Sequence, residues 1–88
     1  MKSRRHFILT GRVQGVGLRY RSRYIAEQLR LTGWVKNIWD GSVEMELQGE
    51  VEDIDRFLAK LSAAPFIQII GMECKSIPVK SEGGFYIR

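Results

Sequence analysis

Eighty-eight residues with a formal net charge of +4, 44% of them hydrophobic and 27% charged, are ordinary globular composition. A chain of this length is expected to form one domain over residues 1–88 and to bury roughly 60 to 65% of its extended-chain surface, which leaves no room for a second core. Low-complexity, repeat and linker-rich architectures are excluded, and nothing suggests disorder beyond the first few residues.

The segment from His6 to Val13 alternates, with Phe7, Leu9, Gly11 and Val13 on one face and His6, Ile8, Thr10 and Arg12 on the other. This period of two predicts a first strand. A glycine-containing loop follows, and then Leu18, Ile25, Ala26 and Leu29 recur at helical spacing, predicting a helix over Tyr20 to Leu31 that Gly33 terminates. Gly33 to Ile38 reads as a second strand, Asp40-Gly41 as a hairpin turn, and Ser42 to Gln48 as a third strand. In that third strand Val43, Met45 and Leu47 point inward, while Glu44, Glu46 and Gln48 point outward.

Glu50 to Ser62 carries an apolar stripe of Val51, Ile54, Phe57, Leu58 and Leu61, with acids in its first turns and Lys60 near its end. This is a second helix whose charges follow the macrodipole. Pro65 breaks the chain, and Ile69 to Ile77 reads as a fourth strand with Ile70, Met72 and Cys74 on one face. Gly83-Gly84 allows a turn into a short closing strand, Phe85 to Arg88. The order predicts an α+β fold, a ferredoxin-like βαββαβ sandwich with two helices on one face of an antiparallel sheet and a short C-terminal strand.

In that architecture the first two strands run parallel, so the loop leaving the first strand and Asn37 at the end of the second lie at one edge of the sheet. The loop reads Gly-Arg-Val-Gln-Gly-Val-Gly-Leu-Arg over Gly11 to Arg19. Gly15 and Gly17 let backbone N–H groups turn inward, and the helix start adds unpaired amides and a positive dipole end. Arg19, Arg21 and Arg23 crowd the first turns, where the dipole disfavours cations, and no acid precedes Glu27. The pattern suits an anion. The alternative is a tight turn beside a solvated arginine face.

It is neither a P-loop, since no Gly-Lys pair exists, nor a Rossmann fingerprint, since Tyr20 stands where the third glycine belongs. Arg19 offers a planar charged fork for phosphate oxygens, and Asn37 can position a water without deprotonating it. That pairing suits only a phosphate with a good leaving group, whose own oxygens can take the water's proton.

The single cysteine, Cys74, and single histidine, His6, supply neither a disulfide nor a recognised metal set, and both read as structural, Cys74 as a small core residue. No metal is therefore expected. The apolar run Phe7 to Leu9 is too short for a signal peptide or a membrane span, which makes a cytoplasmic location and no membrane partner the expectation.

The segments Gly11 to Arg19, Gly33 to Asn37 (Gly-Trp-Val-Lys-Asn) and Asp40 to Glu44 (Asp-Gly-Ser-Val-Glu), in this order and spacing, resemble the signature segments of the acylphosphatase family. The similarity extends to the closing Phe85-Tyr86-Ile87-Arg88. The resemblance implies a small ferredoxin-like enzyme that hydrolyses the carboxyl-phosphate bond of acyl phosphates without metal or other cofactor. It implies that Arg19 binds phosphate together with the loop amides of Gln14, Gly15, Val16, Gly17 and Leu18, and that Asn37 orients the attacking water. The implied partner is a small acyl phosphate, with inorganic phosphate or sulfate as a competing anion and the protein acting as a monomer.

Two departures from the family pattern stand out: Leu18 where Phe is usual, and Ala64-Pro65-Phe66-Ile67-Gln68, which keeps the proline of a Gly-Pro pattern and loses its glycine. The competing class is a ferredoxin-like binding module for RNA or a small anion that does no chemistry. A third reading, an interaction domain with catalysis reduced, is opposed by intact Arg19 and Asn37. Positive charge and Trp34 and Trp39 as exposed aromatics would suit RNA. The RNA-recognition consensus is absent, however, and Glu44 and Glu46 on the open face would repel a phosphate backbone, so no nucleic acid is expected.

Overall fold

Alternation in the first strand carries through to packing: Phe7, Leu9 and Val13 are buried in the core. A computed structural model describes residues 1–88, with strands β1 (Lys2–Arg12), β2 (Thr32–Asn37), β3 (Val43–Glu50), β4 (Gln68–Ile77) and β5 (Phe85–Ile87) and helices α1 (Leu18–Gln28) and α2 (Val51–Ser62). The sheet order is β4-β1-β3-β2-β5, antiparallel except that β5 runs parallel to β2. The closing strand thus makes the sheet mixed. β1 and β2 are both antiparallel to β3, so they are parallel to each other and the loop after Arg12 and the end of β2 share one edge.

Helix α1 buries Leu18, Ser22, Ile25 and Ala26, and α2 buries Ile54, Phe57 and Leu61, each set on one face. These meet Met45, Leu47 and Val35 from the sheet in one cluster, with the Phe57 and Phe85 rings 6.4 Å apart between their centroids. Burying a side chain such as Phe57 stabilises the fold by about 1.5–3 kcal/mol. This core holds the loop before α1 against the end of β2.

Four sequence expectations are revised. Strand β1 starts at Lys2, so pairing reaches into the basic leader, where Lys2 faces Glu50 across β3. Arg4 is buried there: its Nε donates to Glu46 Oε1 at 2.8 Å and its Nη1 to Glu82 Oε1 at 2.8 Å, while Nη2 lies 2.8 Å from the same Glu46 oxygen. Burial works against the guanidinium's charge, but Glu82 and Glu46 outweigh it and raise its pKa.

Helix α1 ends at Gln28, three residues before Leu31. Arg30 adopts a left-handed φ of 58°, and the Leu31 amide donates to Ala26 C=O at 2.8 Å, closing the helix as a glycine normally does. Gly33 is needed for another reason: a Cβ there would run into the carbonyl oxygen of Glu46 on the neighbouring strand.

Cys74 is exposed, against the expectation of a core position. It lies opposite Phe7 in register, but β4 is an edge strand, and the helices make their sheet contacts with β2, β3 and β5. Ile70 and Met72 are exposed for the same reason. Trp34, expected as an exposed aromatic, is only 6% exposed, with the Arg88 guanidinium over its ring at 4.5 Å, whereas Trp39 at the hairpin tip is 96% exposed. No helix is long and apolar enough to cross a membrane.

Candidate active site

Between β1 and α1 the chain alternates anchors and turns. Val13 and Leu18 are buried and Val16 packs partly against the core, so the residues between them are pushed outward. Gly15 and Gly17 have φ of 73° and 76°, the left-handed region that side chains disfavour, although open space surrounds both. Backbone conformation, and not crowding, is what requires glycine here. Gly17 is the N-cap of α1 and provides no side-chain cap. The first amide of this stretch with a backbone partner is that of Arg21, which donates to Gly17 C=O at 3.0 Å. The amides from Gln14 to Tyr20 are left without acceptors in the chain.

Arg19 stands half-buried on the first turn of α1. Its Nη1 donates to the main-chain oxygen of Arg88 at 3.4 Å, and the Arg88 amide donates to Val35 C=O at 2.9 Å. The closing strand thereby tethers Arg19 to β2. Asn37 is the last residue of β2, opposite Val43, exposed, and its side-chain amide has no partner in the chain. A cavity of about 120 Å³ gathers Gly15, Gly17, Leu18, Arg19 and Asn37 with Val13 and Tyr20. A larger groove of about 190 Å³ lies on the open face of the sheet beside His6, but His6 is already engaged with Glu44 at 2.7 Å. No three His, Cys, Asp or Glu side chains come together as a metal set.

Residues 5–87 match the family model described as acylphosphatase. The chain belongs to the acylphosphatase family. An acylphosphatase of Pseudomonas paraeruginosa is 39% identical over 84 residues, covering 94% of this chain and 92% of that protein. Among solved structures, an acylphosphatase from Bacillus subtilis superposes with a TM-score of 0.91 at 31% identity, covering 100% of this chain and 99% of that one. One from Coxiella burnetii gives a TM-score of 0.90 at 34% identity, covering 99% and 93%. Membership makes the protein an enzyme, and acyl phosphate hydrolysis is the activity that family and fold together support.

Of the acylphosphatase residues expected in the loop, Gly15, Gly17, Leu18 and Arg19 line the cavity with Asn37. Val16 instead packs toward the core, and the Gln14 side chain turns away to the β2–β3 hairpin, leaving both with only their amides to offer. Sequence reasoning missed Tyr20, which lines the cavity, and Arg88, which tethers Arg19. The clue to Tyr20 was its place one residue after Arg19 at a helix start. Nothing local marked Arg88, because its contact with Arg19 spans 69 residues of sequence.

Two family departures have separate outcomes. Leu18 is 2% exposed and fills the anchor position. Ala64, where the glycine before Pro65 is lost, is buried and has no left-handed φ, so it needs no glycine. The left-handed residue of this loop is Phe66, two positions on, with φ of 69° and 79% exposed. Neither Leu18 nor Phe66 displaces Arg19 or Asn37 from the cavity they share.

Proposed function

We propose that this enzyme hydrolyses acyl phosphates to carboxylate and inorganic phosphate, with the phosphoryl group held by Arg19 and the amides of Gln14 to Leu18 and the attacking water oriented by Asn37. The observation that carries the reading is that one cavity of about 120 Å³ is lined by Gly15, Gly17 and Leu18, whose amides have no acceptor in the chain, together with Arg19 and Asn37. That space has room for a small polar group such as a phosphoryl group, and it is open to solvent on one side. The acyl group would lie outside, along the rim formed by Tyr20.

The chemistry fits what these residues lack. Water attacks phosphorus, the bond between phosphorus and the bridging oxygen breaks, and the electron pair leaves on the carboxylate. Carboxylates have pKa values of about 4, so this leaving group needs no general acid at neutral pH. The water's proton passes to a phosphate oxygen, so no side-chain base is required. Charge on the equatorial oxygens falls to Arg19 and the amides, which are fixed before substrate arrives. Asn37 contributes by orientation alone, accepting from or donating to the water. No step calls for a metal or other cofactor.

A nucleic-acid-binding reading loses its platform: Trp34 is buried, and Glu44 and Glu46 stand on the open face of the sheet. The deciding experiment measures acetyl phosphate and benzoyl phosphate hydrolysis beside a phosphomonoester, with and without EDTA. Rapid, EDTA-insensitive turnover of the acyl phosphates alone is expected. Equal rates on the monoester would require a base outside this reading. For Asn37→Ala, kcat should fall by roughly a hundredfold or more while inhibition by inorganic phosphate changes little. Near-normal kcat in the folded variant would end the water-orienting role.

A further inference from the structure

The Gln14 side chain spends both of its N–H donors on the hairpin that carries Asn37. Its Nε2 donates to Ile38 C=O at 2.8 Å and to Ser42 C=O at 2.8 Å. Those two carbonyls are the ones that close the turn: Ile38 C=O also accepts from the Gly41 amide at 3.1 Å, and Ser42 C=O from the Ile38 amide at 2.8 Å. Each carbonyl oxygen has two lone pairs, and Gln14 takes the second of each. Ile38 directly follows Asn37, and Ser42 directly precedes Val43, the cross-strand partner of Asn37.

The Gln14 main chain belongs to the other side of the site, between buried Val13 and left-handed Gly15, with its amide unpaired. One residue therefore joins the phosphate loop to the strand end opposite, across 24 residues of sequence. The turn has its own lock in Asp40, whose Oδ1 accepts from the Ser42 amide at 2.9 Å and from the Ser42 hydroxyl at 2.6 Å. The hairpin keeps its shape without Gln14. What Gln14 adds is the spacing between hairpin and loop.

We propose that Gln14 is a positioning residue for catalysis: its carboxamide sets the placement of Asn37 relative to the phosphate loop, and so the line of attack of the water. This rests on the water-orienting reading of Asn37. A displacement on the order of 1 Å at such a group lowers rates by about a hundredfold, so loss of the brace acts on kcat rather than on phosphate binding. Ground-state affinity for phosphate stays with Arg19 and the loop amides.

The test is a double-mutant cycle on benzoyl phosphate with Gln14→Met, Asn37→Ala and the pair, measuring kcat, KM, the inhibition constant of inorganic phosphate and melting temperature. Methionine keeps the length of the side chain and removes both donors. The expected result for Gln14→Met is kcat lower by roughly 10- to 100-fold with the phosphate constant within about threefold. In the Asn37→Ala background the same substitution should lower kcat by less than about threefold, because the group it positions is gone. If Asn37→Ala lowers kcat but Gln14→Met does not, or if the two losses multiply in the pair, the brace is overturned while the role of Asn37 survives. Near-normal kcat for Asn37→Ala would overturn both. A lowered melting temperature with unchanged kcat would make Gln14 purely structural.

Discussion

Helix α2 begins with Glu52 and Asp53 in its first turn and ends with Lys60, so its charges run with its dipole, and Asp53 also accepts from Arg56 at 2.7 Å. Helix α1 has no acid in its first turn and no base in its last, starts from a left-handed glycine without a side-chain cap, and places Arg19 and Arg21 where the dipole repels them. It buries Ser22, whose Oγ has no hydrogen-bond partner, and stops on Arg30 in a left-handed conformation. The two helices lie on the same face of one sheet and contact each other, so their surroundings do not account for the contrast. Neither helix has a side-chain cap, so the difference lies in charge and in what each start borders. The start of α1 borders a cavity lined by Gly15, Gly17, Leu18 and Arg19 and is free of acids, whereas the start of α2 carries the acids that its dipole favours.

The sharpest test of that contrast removes an arginine from each helix. Arg19→Ala should abolish most turnover and weaken inhibition by phosphate, since charged hydrogen bonds contribute about 1.5–3 kcal/mol each and the fork contacts both ground and transition states. Arg56→Ala on α2 removes one exposed ion pair and should change stability by less than about 1 kcal/mol and activity not at all. Steady-state kinetics on the two variants, with phosphate as inhibitor, decides; equal effects would mean that α1 is not special.

A smaller effect is expected at Ser22. Its buried hydroxyl is unpaired, which costs about 1–3 kcal/mol, and alanine is also the better helix former. Ser22→Ala should therefore stabilise the protein by about 1 kcal/mol, equivalent to roughly 4–8 °C in melting temperature for a domain of this size. A lower melting temperature would show that the hydroxyl has a partner.

Much of this was legible in the sequence and some was not, for identifiable reasons. Periods of two and 3.6 located the first and third strands and both helices, because Phe7, Leu9, Met45, Ile54 and Phe57 follow them and end up in the core. Turn signals such as Asp40-Gly41 and Gly83-Gly84 bounded the other strands. The glycine pattern and the crossover argument brought Gly15, Gly17, Arg19 and Asn37 to one edge, where they share a cavity. Period alone does not say how far the helices reach, so Cys74 on the uncovered edge strand was misjudged. Nor does it register irregular segments that fold back. Arg4 and Gln48 are buried because the stretch 78–84 crosses the open face, where Gln48 pairs with both backbone groups of Lys80 and Glu82 reaches Arg4. The side-chain contacts of Gln14 were hidden similarly: the sequence assigned it a role through its loop amide alone, and nothing in it shows the carboxamide reaching Ile38 and Ser42.

Changing the charge at the helix starts should give effects of opposite kinds. Replacing Glu52 by Gln removes an acid from the first turn of α2 and should cost about 0.3–1 kcal/mol of stability with unchanged kinetics. Arg21→Glu puts an acid near the start of α1 and should stabilise the helix by a similar amount, while weakening phosphate inhibition severalfold in a manner that fades with salt. Denaturation midpoints and phosphate inhibition at two ionic strengths measure both. If Arg21→Glu leaves phosphate inhibition unchanged, the anion does not sense that end of α1.

The smallest expected effect lies at the other ends of the helices. Arg30 is exposed at φ 58°, where a side chain costs about 1–2 kcal/mol relative to glycine. Glycine has extra freedom in the unfolded chain that takes back about 0.5–1 kcal/mol, so Arg30→Gly should stabilise the protein by about 0.5 kcal/mol. Ala63 at the end of α2 has an ordinary right-handed conformation with φ of −87°, so glycine there relieves no strain and incurs only the entropic cost. Ala63→Gly should therefore destabilise by about 0.5–1 kcal/mol, opposite in sign to its counterpart on α1. Urea midpoints of the two variants, compared at unchanged slope, make the measurement. No stabilisation by Arg30→Gly would mean that the left-handed turn after α1 carries no strain, and that the two helices differ at their starts alone.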